Sequence, residues 1–374
     1  MSGITEETVS ETGPKILGTT VTYKRVLLVL SCFLFSVGGC VGPLITRLYY
    51  IHGGKRVWLT SFLQSAGWPI ALIALALSYF HRRTTDPNAE VFYSRYLAFF
   101  AAAIIGVLTG LDNYLYSYGL ACLPVSTCSL IVASQLAFTA AFAFVLVKQK
   151  FTPYSINAVV LLTVGAGILA LHSNSDKPEG ESSKQYILGF VMSLGSALLY
   201  GLILPLIELT YMKAKQEISF TFVMEINLVL NFCSSTFCLI GMIVNNDFQA
   251  IAREATTFDL GETRFYVVLV WTAIIWQCFF VGAVGVIFCG SSLLSGIIST
   301  VLLPITEVLA VIVYQENFSG EKGVSLGLSL WGFFSYSYGE ARQIKKQKKM
   351  NMNNNHLETE MPRSSTVPNQ TSNI

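Results

Sequence analysis

The sequence has few charged residues. Asp, Glu, Lys and Arg together make up 12% of its 374 positions, about half the level of roughly 25% found in soluble domains. Hydrophobic residues account for 53%, and the mean hydropathy is +0.56. This balance excludes an ordinary soluble domain and indicates an integral membrane protein.

Residue types that support catalysis or metal binding are also scarce. The chain has four histidines, and all of them lie at or beyond the ends of apolar runs, at positions 52, 81, 172 and 356. The eight cysteines form no CxxC pair and have no histidine nearby, which is typical of small apolar packing residues. No basic stripe carries interleaved aromatic residues. We therefore expect no enzyme, no metal site, no cofactor and no nucleic-acid partner.

Apolar segments long enough to cross a membrane recur along the chain. A hydrocarbon core of about 30 Å needs about 20 helical residues. Segments of that kind are found at 26–46, 58–80, 97–119, 124–147, 153–172, 186–208, 220–244, 265–289, 293–314 and 322–339. Every Lys and Arg lies outside or at the rim of these segments. The pattern predicts an all-α integral membrane protein with ten transmembrane helices.

The distribution of basic residues predicts the orientation. Lys and Arg accumulate in cytoplasmic segments, and most of the 24 Lys and Arg residues fall there when the N-terminus is placed inside. Both termini are then cytoplasmic. The chain beyond residue 341 is basic and then rich in Asn, Ser and Glu, which predicts a disordered tail. No strong targeting signal is visible, so we expect the plasma membrane.

Two pairs of segments indicate an internal repeat. GPLITRLYY at 42–50 resembles LPLIELTYM at 204–212, and FVLVKQKFT at 144–152 resembles VIVYQENFS at 311–319. These matches pair the first predicted helix with the sixth and the fourth with the ninth. Because five is odd, the second half crosses the membrane in the opposite sense, which gives two inverted five-helix repeats. Such repeats are typical of transporters, with the substrate bound near the midplane between the halves.

The repeat divides the chain into five predicted parts. They are a cytoplasmic N-terminal tail at 1–25, a first repeat at 26–172, an extracytoplasmic linker at 173–185, a second repeat at 186–340 and a disordered cytoplasmic C-terminal tail at 341–374. Pro43 and Pro205 occupy equivalent positions in the two repeats. Kinks at these prolines could act as gating hinges, and the alternative is that each simply ends a helix.

Several polar or large aromatic residues lie deep in the predicted helices. Trp68, Gln135 and Gln277 fall near the midplane at a rise of about 1.5 Å per residue, Asn113 lies somewhat further out, and Trp276 adjoins Gln277. Trp faces can stack on a planar heteroaromatic ligand, and amides can pair with a ring nitrogen and an exocyclic amine. We interpret the set as a substrate site. The alternative is that the amides bond neighbouring helices and the Trp residues only pack.

Three carboxylates also lie within predicted helices, with no embedded Lys or Arg beside them. An ionised carboxylate is costly there, so Asp112, Glu225 and Glu307 are candidates to bind a proton reversibly. Glu307 is the most isolated and is the first choice for proton coupling. Glu225 could instead be a hydrated residue at the inner mouth, and Asp112 could bond its own helix. An interior without cations favours a neutral or weakly cationic substrate over a phosphorylated one.

Longer stretches resemble a known family. They are HGGKRVWLTSFLQSAGWP (52–69), GLDNYLYSYGLACLPVSTCSLIVASQLAF (110–138), KFTPYSINAVVLLTVGAGILALHS (150–173), IIWQCFF (274–280), LLPITEVLAV (302–311) and EKGVSLGLSLWGFFSYSYGE (321–340). Together they are similar to the plant purine permeases of the drug/metabolite transporter superfamily. The resemblance covers residues from about 25 to 342.

The resemblance implies ten helices in two inverted repeats and proton-coupled import of adenine, cytokinins or related purine derivatives. It supports pocket or coupling roles for a set of residues, which are Asn113, Gln135, Glu225, Trp276, Gln277 and Glu307. Gln64 and Trp68 depart from the family pattern, where an acid or small polar residue and a Phe are common. The substrate preference within the family could therefore differ here.

Other readings remain open from the sequence. Some relatives of this family carry alkaloids or vitamin B6-like amines, so export or import of such compounds is the alternative function. A passive channel would use the same pocket without accumulating its substrate. The physiological purine, the direction of transport and the oligomeric state are open at this point. The expected partners are the small molecule, protons and membrane lipid.

Overall fold

A computed structural model of the chain describes residues 13–85, 96–146, 148, 153–171, 183–214, 220–289, 292–315 and 318–360. Within these ranges every regular element is an α-helix. The helices are α1 (Gly13–Ile51), α2 (Val57–Ser65), α3 (Trp68–Thr85), α4 (Tyr96–Cys122), α5 (Val125–Val132), α6 (Gln135–Leu146), α7 (Pro153–Leu171), α8 (Ser183–Lys213), α9 (Phe220–Val244), α10 (Asp247–Thr257), α11 (Glu262–Cys289), α12 (Ser292–Tyr314) and α13 (Gly320–Glu360). The predicted all-α class is confirmed.

Seven stretches of the described chain are long and apolar enough to cross a membrane. They are Arg25–Ile51, Val57–Leu77, Tyr96–Cys122, Val125–Leu146, Lys184–Lys213, Thr221–Val244 and Glu262–Val286. Two further predicted segments contain shorter apolar helices, Ile156–Gly165 and Ile305–Tyr314. The multi-pass character follows from the seven stretches, and the number of ten spans stays a prediction.

Two segments that the sequence predicts as continuous helices are broken in the middle. The segment 58–80 is divided between α2 and α3, and the segment 124–147 between α5 and α6. At the first break, a Cβ on Gly67 would clash with the Cβ of Gln277, which cannot swing away by rotating its side chain, so only glycine permits this approach. At the second break, the Ser134 hydroxyl donates to the Ile131 carbonyl at 2.7 Å, a local bond that competes with the helix ladder. Both breaks place helix ends inside the bundle.

Helix boundaries at the two ends of the chain also differ from the prediction. Helix α1 begins at Gly13, within the predicted N-terminal tail. Helix α13 continues to Glu360, so residues 341–360 are helical where the sequence indicates disorder. The stretch contains no Gly or Pro, and its first half, 341–350, is rich in Lys and Gln, which are good helix formers. The predicted linker at 173–185 lies almost entirely outside the described residues.

Helices α1 and α11 approach each other closely. A Cβ on Gly38 would lie 2.5 Å from the backbone nitrogen of Phe279, and one on Gly282 would lie 2.7 Å from the Cα of Phe35. Small residues let membrane helices approach this closely. Phe35 and Phe279 then pack against each other with ring centroids 4.9 Å apart. The two glycines therefore set how α11 is placed against α1, and with it the positions of the α11 side chains that line the cavity described below.

Candidate functional site

A cavity lies among the helices of the bundle. It is bordered by α1, α2, α4, α5, α6, α8, α11 and α12. We call it the central cavity. Its lining residues are Gly39, Pro43, Gln64, Thr109, Asp112, Asn113, Tyr116, Val132, Gln135, Ser196, Tyr200, Trp276, Phe279, Phe280, Ser299, Leu302 and Leu303. Both broken segments contribute to it, as expected where interrupted helices build a membrane site.

One face of α4 supplies four polar side chains, more than any other helix that lines the cavity. Thr109, Asp112, Asn113 and Tyr116 all line the central cavity and are spaced at i, i+3, i+4 and i+7. That spacing places the four side chains on one face of a helix. Asp112 and Asn113 are both buried. This helical periodicity is visible in the sequence, and it identifies Thr109 and Tyr116 as site residues that the sequence analysis did not include.

Asp112 is held by a hydrogen bond from the neighbouring helix α8. The Ser196 hydroxyl on α8 donates to the Asp112 carboxylate at 2.7 Å. No Lys or Arg is found among the described residues that line this cavity. Asp112 carries the one carboxyl group among the described residues that line the cavity, so it is in direct reach of a molecule bound there.

Three amide side chains are each oriented by a serine. The Asn113 amide donates to Ser234 at 3.2 Å, the Gln64 amide to Ser117 at 2.7 Å, and the Gln135 amide to Ser299 at 3.5 Å, which is a long contact. These bonds join neighbouring helices and also fix which way each amide points. Both interpretations of the buried amides, helix association and ligand binding, are compatible with this arrangement.

The indole of Trp276 is fixed from behind. Its N–H donates to the Thr46 hydroxyl at 3.2 Å, and Thr46 donates in turn to the Gly42 carbonyl at 2.9 Å. Tyr116 meets the Trp276 ring edge-on with centroids 5.9 Å apart. Because its polar atom is already bonded to α1, the ring can offer the cavity only its apolar surface. Thr46 therefore positions the Trp276 indole, and the sequence analysis did not identify it.

Two of the five predicted substrate-binding residues do not reach the central cavity. Trp276 and Gln277 are successive residues on α11, about 100° apart around the helix, so only Trp276 faces inward. Gln277 packs against Gly67 at the break between α2 and α3, and neither of its amide atoms has a hydrogen-bond partner among the described residues. Trp68 packs edge-on against Phe232 at 5.3 Å. The structure brings together Asn113, Gln135 and Trp276.

The other predicted coupling residues and hinges are placed as follows. Glu225 and Glu307 are buried on α9 and α12, but neither lines the central cavity.

Pro43 and Pro205 both lie inside helices, each about two turns before the helix end. Pro43 lines the cavity. Neither proline ends its helix.

One end of the bundle is closed by hydrogen bonds between helices. The Arg47 guanidinium on α1 donates to the carbonyls of Leu120 and Ala121 at the end of α4. The Tyr314 hydroxyl at the end of α12 donates to the Leu44 carbonyl. Lys322, which the sequence places at a membrane rim, is buried here and donates to Ser126 at 2.9 Å. These bonds join α1 to α4 and to α12, and they join α13 to α5.

The short amphipathic helix α10, which the sequence analysis did not assign, lies at the same end of the bundle. Arg56, at the start of α2, contacts Glu254 of α10 at 2.9 Å and Asp247 at 3.4 Å. The Tyr49 hydroxyl also donates to Glu254 at 2.7 Å. Burial raises the pKa of the Asp247 carboxyl, and the bonds from Asn245 and Arg56 oppose that rise. We call this end of the bundle the Arg56 end.

Comparison with known proteins gives a consistent family. A family model described as purine nucleobase transmembrane transport matches residues 26–347. The chain is 53% identical to purine permease 3 of Arabidopsis thaliana, over 87% of this chain and 94% of that protein. It is 51% identical to purine permease 2 of the same plant, over 87% and 95% of the two chains.

A solved crystal structure shares the fold. Its TM-score is 0.52 at 12% sequence identity, and the match covers 86% of this chain and 99% of that chain. At this identity the likeness shows the fold alone. The extent and identity of the sequence matches confirm the resemblance and the expectation that the chain is not an enzyme. The chain is a multi-pass membrane protein that belongs to the purine permease family of transporters.

Proposed function

We propose that the chain is a proton-coupled secondary transporter that imports adenine, cytokinins or related purine derivatives through the central cavity. The observation that carries this proposal is the combination, in one cavity, of a fixed Trp276 indole, oriented amides and a carboxyl group. The names of the relatives, purine permeases 2 and 3, support the substrate class. The driving force is the proton gradient, with no cofactor.

The chemistry of the walls fits a neutral purine. The ring stacks against Trp276, and Asn113 and Gln135 offer donor and acceptor atoms to its edge. Gln64 adds a third amide to the same cavity. A phosphorylated purine is disfavoured because the described lining offers no cation to meet the phosphate.

We assign the coupled proton to Asp112 in preference to Glu307. A coupling group must sense whether substrate is bound, and Asp112 lines the cavity while Glu225 and Glu307 do not. A proton on Asp112 removes the cost of a buried charge when the cavity closes around a neutral ligand. On this assignment Glu225 and Glu307 do not carry the coupled proton.

Helix contacts support ten transmembrane helices in two inverted repeats. If α1 to α7 form the first repeat, with α2–α3 and α5–α6 as broken spans, then α8, α9, α11, α12 and α13 form the second. The repeat exchanges α1 with α8 and α4 with α11. This exchange makes the α1–α11 contact equivalent to the α8–α4 contact. It also makes the α6–α8 contact equivalent to the α12–α1 contact. All four contacts are present.

Alternating access follows from this arrangement. With both termini in the cytoplasm of a cell whose plasma membrane holds the protein, the Arg56 end faces outward. Uptake then requires the bonds of Arg47, Tyr314 and Arg56 to part so that substrate can enter. Bending at Pro43 and Pro205 would move the last two turns of α1 and α8.

Uptake of labelled adenine tests the proposed function. The protein is expressed in yeast lacking its own purine carriers, and uptake is measured at pH 5 and pH 7 with unlabelled cytokinins, caffeine and pyridoxine as competitors. We expect accumulation at pH 5 that collapses with a protonophore. Equilibration without accumulation would indicate a channel. No uptake by protein at the cell surface would reject adenine import and favour an alkaloid or vitamin B6-like substrate, or export.

Replacing Thr46 with valine tests the positioning of Trp276. Valine keeps the shape of threonine but removes the acceptor for the indole N–H. Loss of a hydrogen bond worth about 1 kcal/mol predicts a KM for adenine raised about fivefold, with the maximal rate much less affected.

A matched control distinguishes positioning from general damage to the fold. Thr272, one turn before Trp276 on α11, is buried and bonds the Val268 carbonyl of its own helix at 2.7 Å. Thr272→Val should leave the KM unchanged, and Thr46→Ser should restore it. An unchanged KM in Thr46→Val would show that the indole needs no such support.

A further inference from the structure

A second cavity adjoins the central one. It lies between α4, α8, α9 and α11. Four residues, Thr109, Tyr200, Phe279 and Phe280, line both cavities, so the aromatic rings form a shared wall. The other lining residues include Tyr211 and Ile226, which lie near the end of α8 and the start of α9. The second cavity therefore extends away from the Arg56 end.

Asn227 brings an unused hydrogen-bond donor to this cavity. Its side chain lines the cavity and is only 5% exposed. The amide oxygen accepts a bond from Asn231 at 3.0 Å, which fixes the side chain from one turn further along α9. The amide nitrogen has no hydrogen-bond partner among the described residues. A buried donor without a partner is costly, and a ligand acceptor would remove that cost.

The walls select the ligand class. Tyr200, Phe279 and Phe280 present aromatic surface, while Ile203, Leu230 and Val284 are aliphatic. No Lys, Arg, Asp or Glu is found among the described lining residues. A flat, uncharged ring with an acceptor nitrogen or carbonyl satisfies both the apolar walls and the Asn227 amide.

We propose that the second cavity is a second binding site for the planar heteroaromatic substrate, occupied as it leaves the central cavity. The proposal rests on the proposed function, because it takes the same molecule as ligand. The substrate passes the shared wall of Tyr200, Phe279 and Phe280 and is received by the Asn227 amide. A low-cost intermediate site divides one long apolar passage into two shorter steps.

Equilibrium binding of labelled adenine to the purified protein tests this. We expect two classes of site in the wild-type protein and one in Asn227→Leu, which keeps the side-chain volume and removes the donor. Val284→Phe fills the second cavity by a different route and should also leave one class. The maximal rate of uptake should fall about fivefold in Asn227→Leu, with little change in the KM that reports the central cavity.

Controls separate the possible results. Val191→Phe makes the same substitution on an exposed face of α8 and should keep both classes, and the thermal melting of each variant shows whether it is folded. A single class in the wild-type protein, or two classes in either folded variant, overturns the second site and leaves the proposed function intact. Absence of any adenine binding by folded wild-type protein overturns both.

Discussion

Replacing Asp112 with asparagine is expected to abolish acid-driven accumulation of adenine. Asparagine retains an oxygen to accept the bond from Ser196, but it cannot gain or lose a proton. For a symporter that moves one proton with each substrate, each pH unit supplies about a factor of ten in accumulation. The pH 5 to pH 7 difference, as much as about a hundredfold, should disappear, while exchange of labelled for unlabelled adenine continues.

The matched controls are two buried carboxyls outside the central cavity, Glu225 and Glu307. Glu225→Gln and Glu307→Gln make the same change of charge, and both should retain a pH-dependent accumulation. If Glu307→Gln loses the pH-dependent accumulation while Asp112→Asn keeps it, the coupled proton is carried by Glu307, as the sequence alone predicts, and not by Asp112. The measurement is the ratio of internal to external adenine at steady state.

Replacing Gly282 with valine is expected to cause the largest loss of stability. A Cβ at this position would lie 2.7 Å from the Cα of Phe35 and 2.8 Å from the carbonyl oxygen of Ser31. Both are backbone atoms, so relief requires α1 and α11 to move apart. Overpacking costs about 1–3 kcal/mol where side chains can adjust, and the cost here should reach or exceed the upper value.

The consequence of that change is measured on the whole protein. We expect the melting temperature in detergent to fall sharply and the amount at the cell surface to drop severalfold. Gly327→Val is the control, because a Cβ on Gly327 has no atom within 4 Å, and it should leave both quantities unchanged. Normal melting and uptake in Gly282→Val would show that α1 and α11 are not packed as closely as described.

The sequence predicts where apolar helices lie better than which side chains face one another. Trp276 and Gln277 are at equal depth, and depth along the helix can be counted from the sequence. Which of them faces the cavity depends on the rotation of α11, and that rotation is set by Gly38 and Gly282 against α1. The same limit applies to the carboxyls, since Glu307 is the more isolated residue in the sequence and Asp112 is the one on the cavity wall.

The broken helices show a second limit. Hydrophobicity is continuous across the breaks at 66–67 and 133–134, so a window of about 20 residues reads each as one span. Gly67 is a local signal, but it gains meaning only from Gln277, far away in the chain. By contrast, the i, i+3, i+4, i+7 pattern from Thr109 to Tyr116 is fully local and could have identified the polar face of α4 beforehand.

Helix α10 illustrates a tertiary effect. Its eleven residues are too short and too polar to register as a membrane segment. They form a helix whose Ile251 and Ala255 pack with Phe258 and Leu260 and whose acids meet Arg56. The partners that stabilise it come from α1 and α2, about 200 residues earlier, which a reading of the local sequence does not include.

The most direct test of the central claim is the structure of the purified protein with adenine bound at pH 5. The account predicts a purine ring in the central cavity, stacked on Trp276, with its edge within hydrogen-bond distance of Asn113 and Gln135. Adenine bound elsewhere on the protein, with the central cavity occupied only by solvent at saturating ligand, would contradict the account.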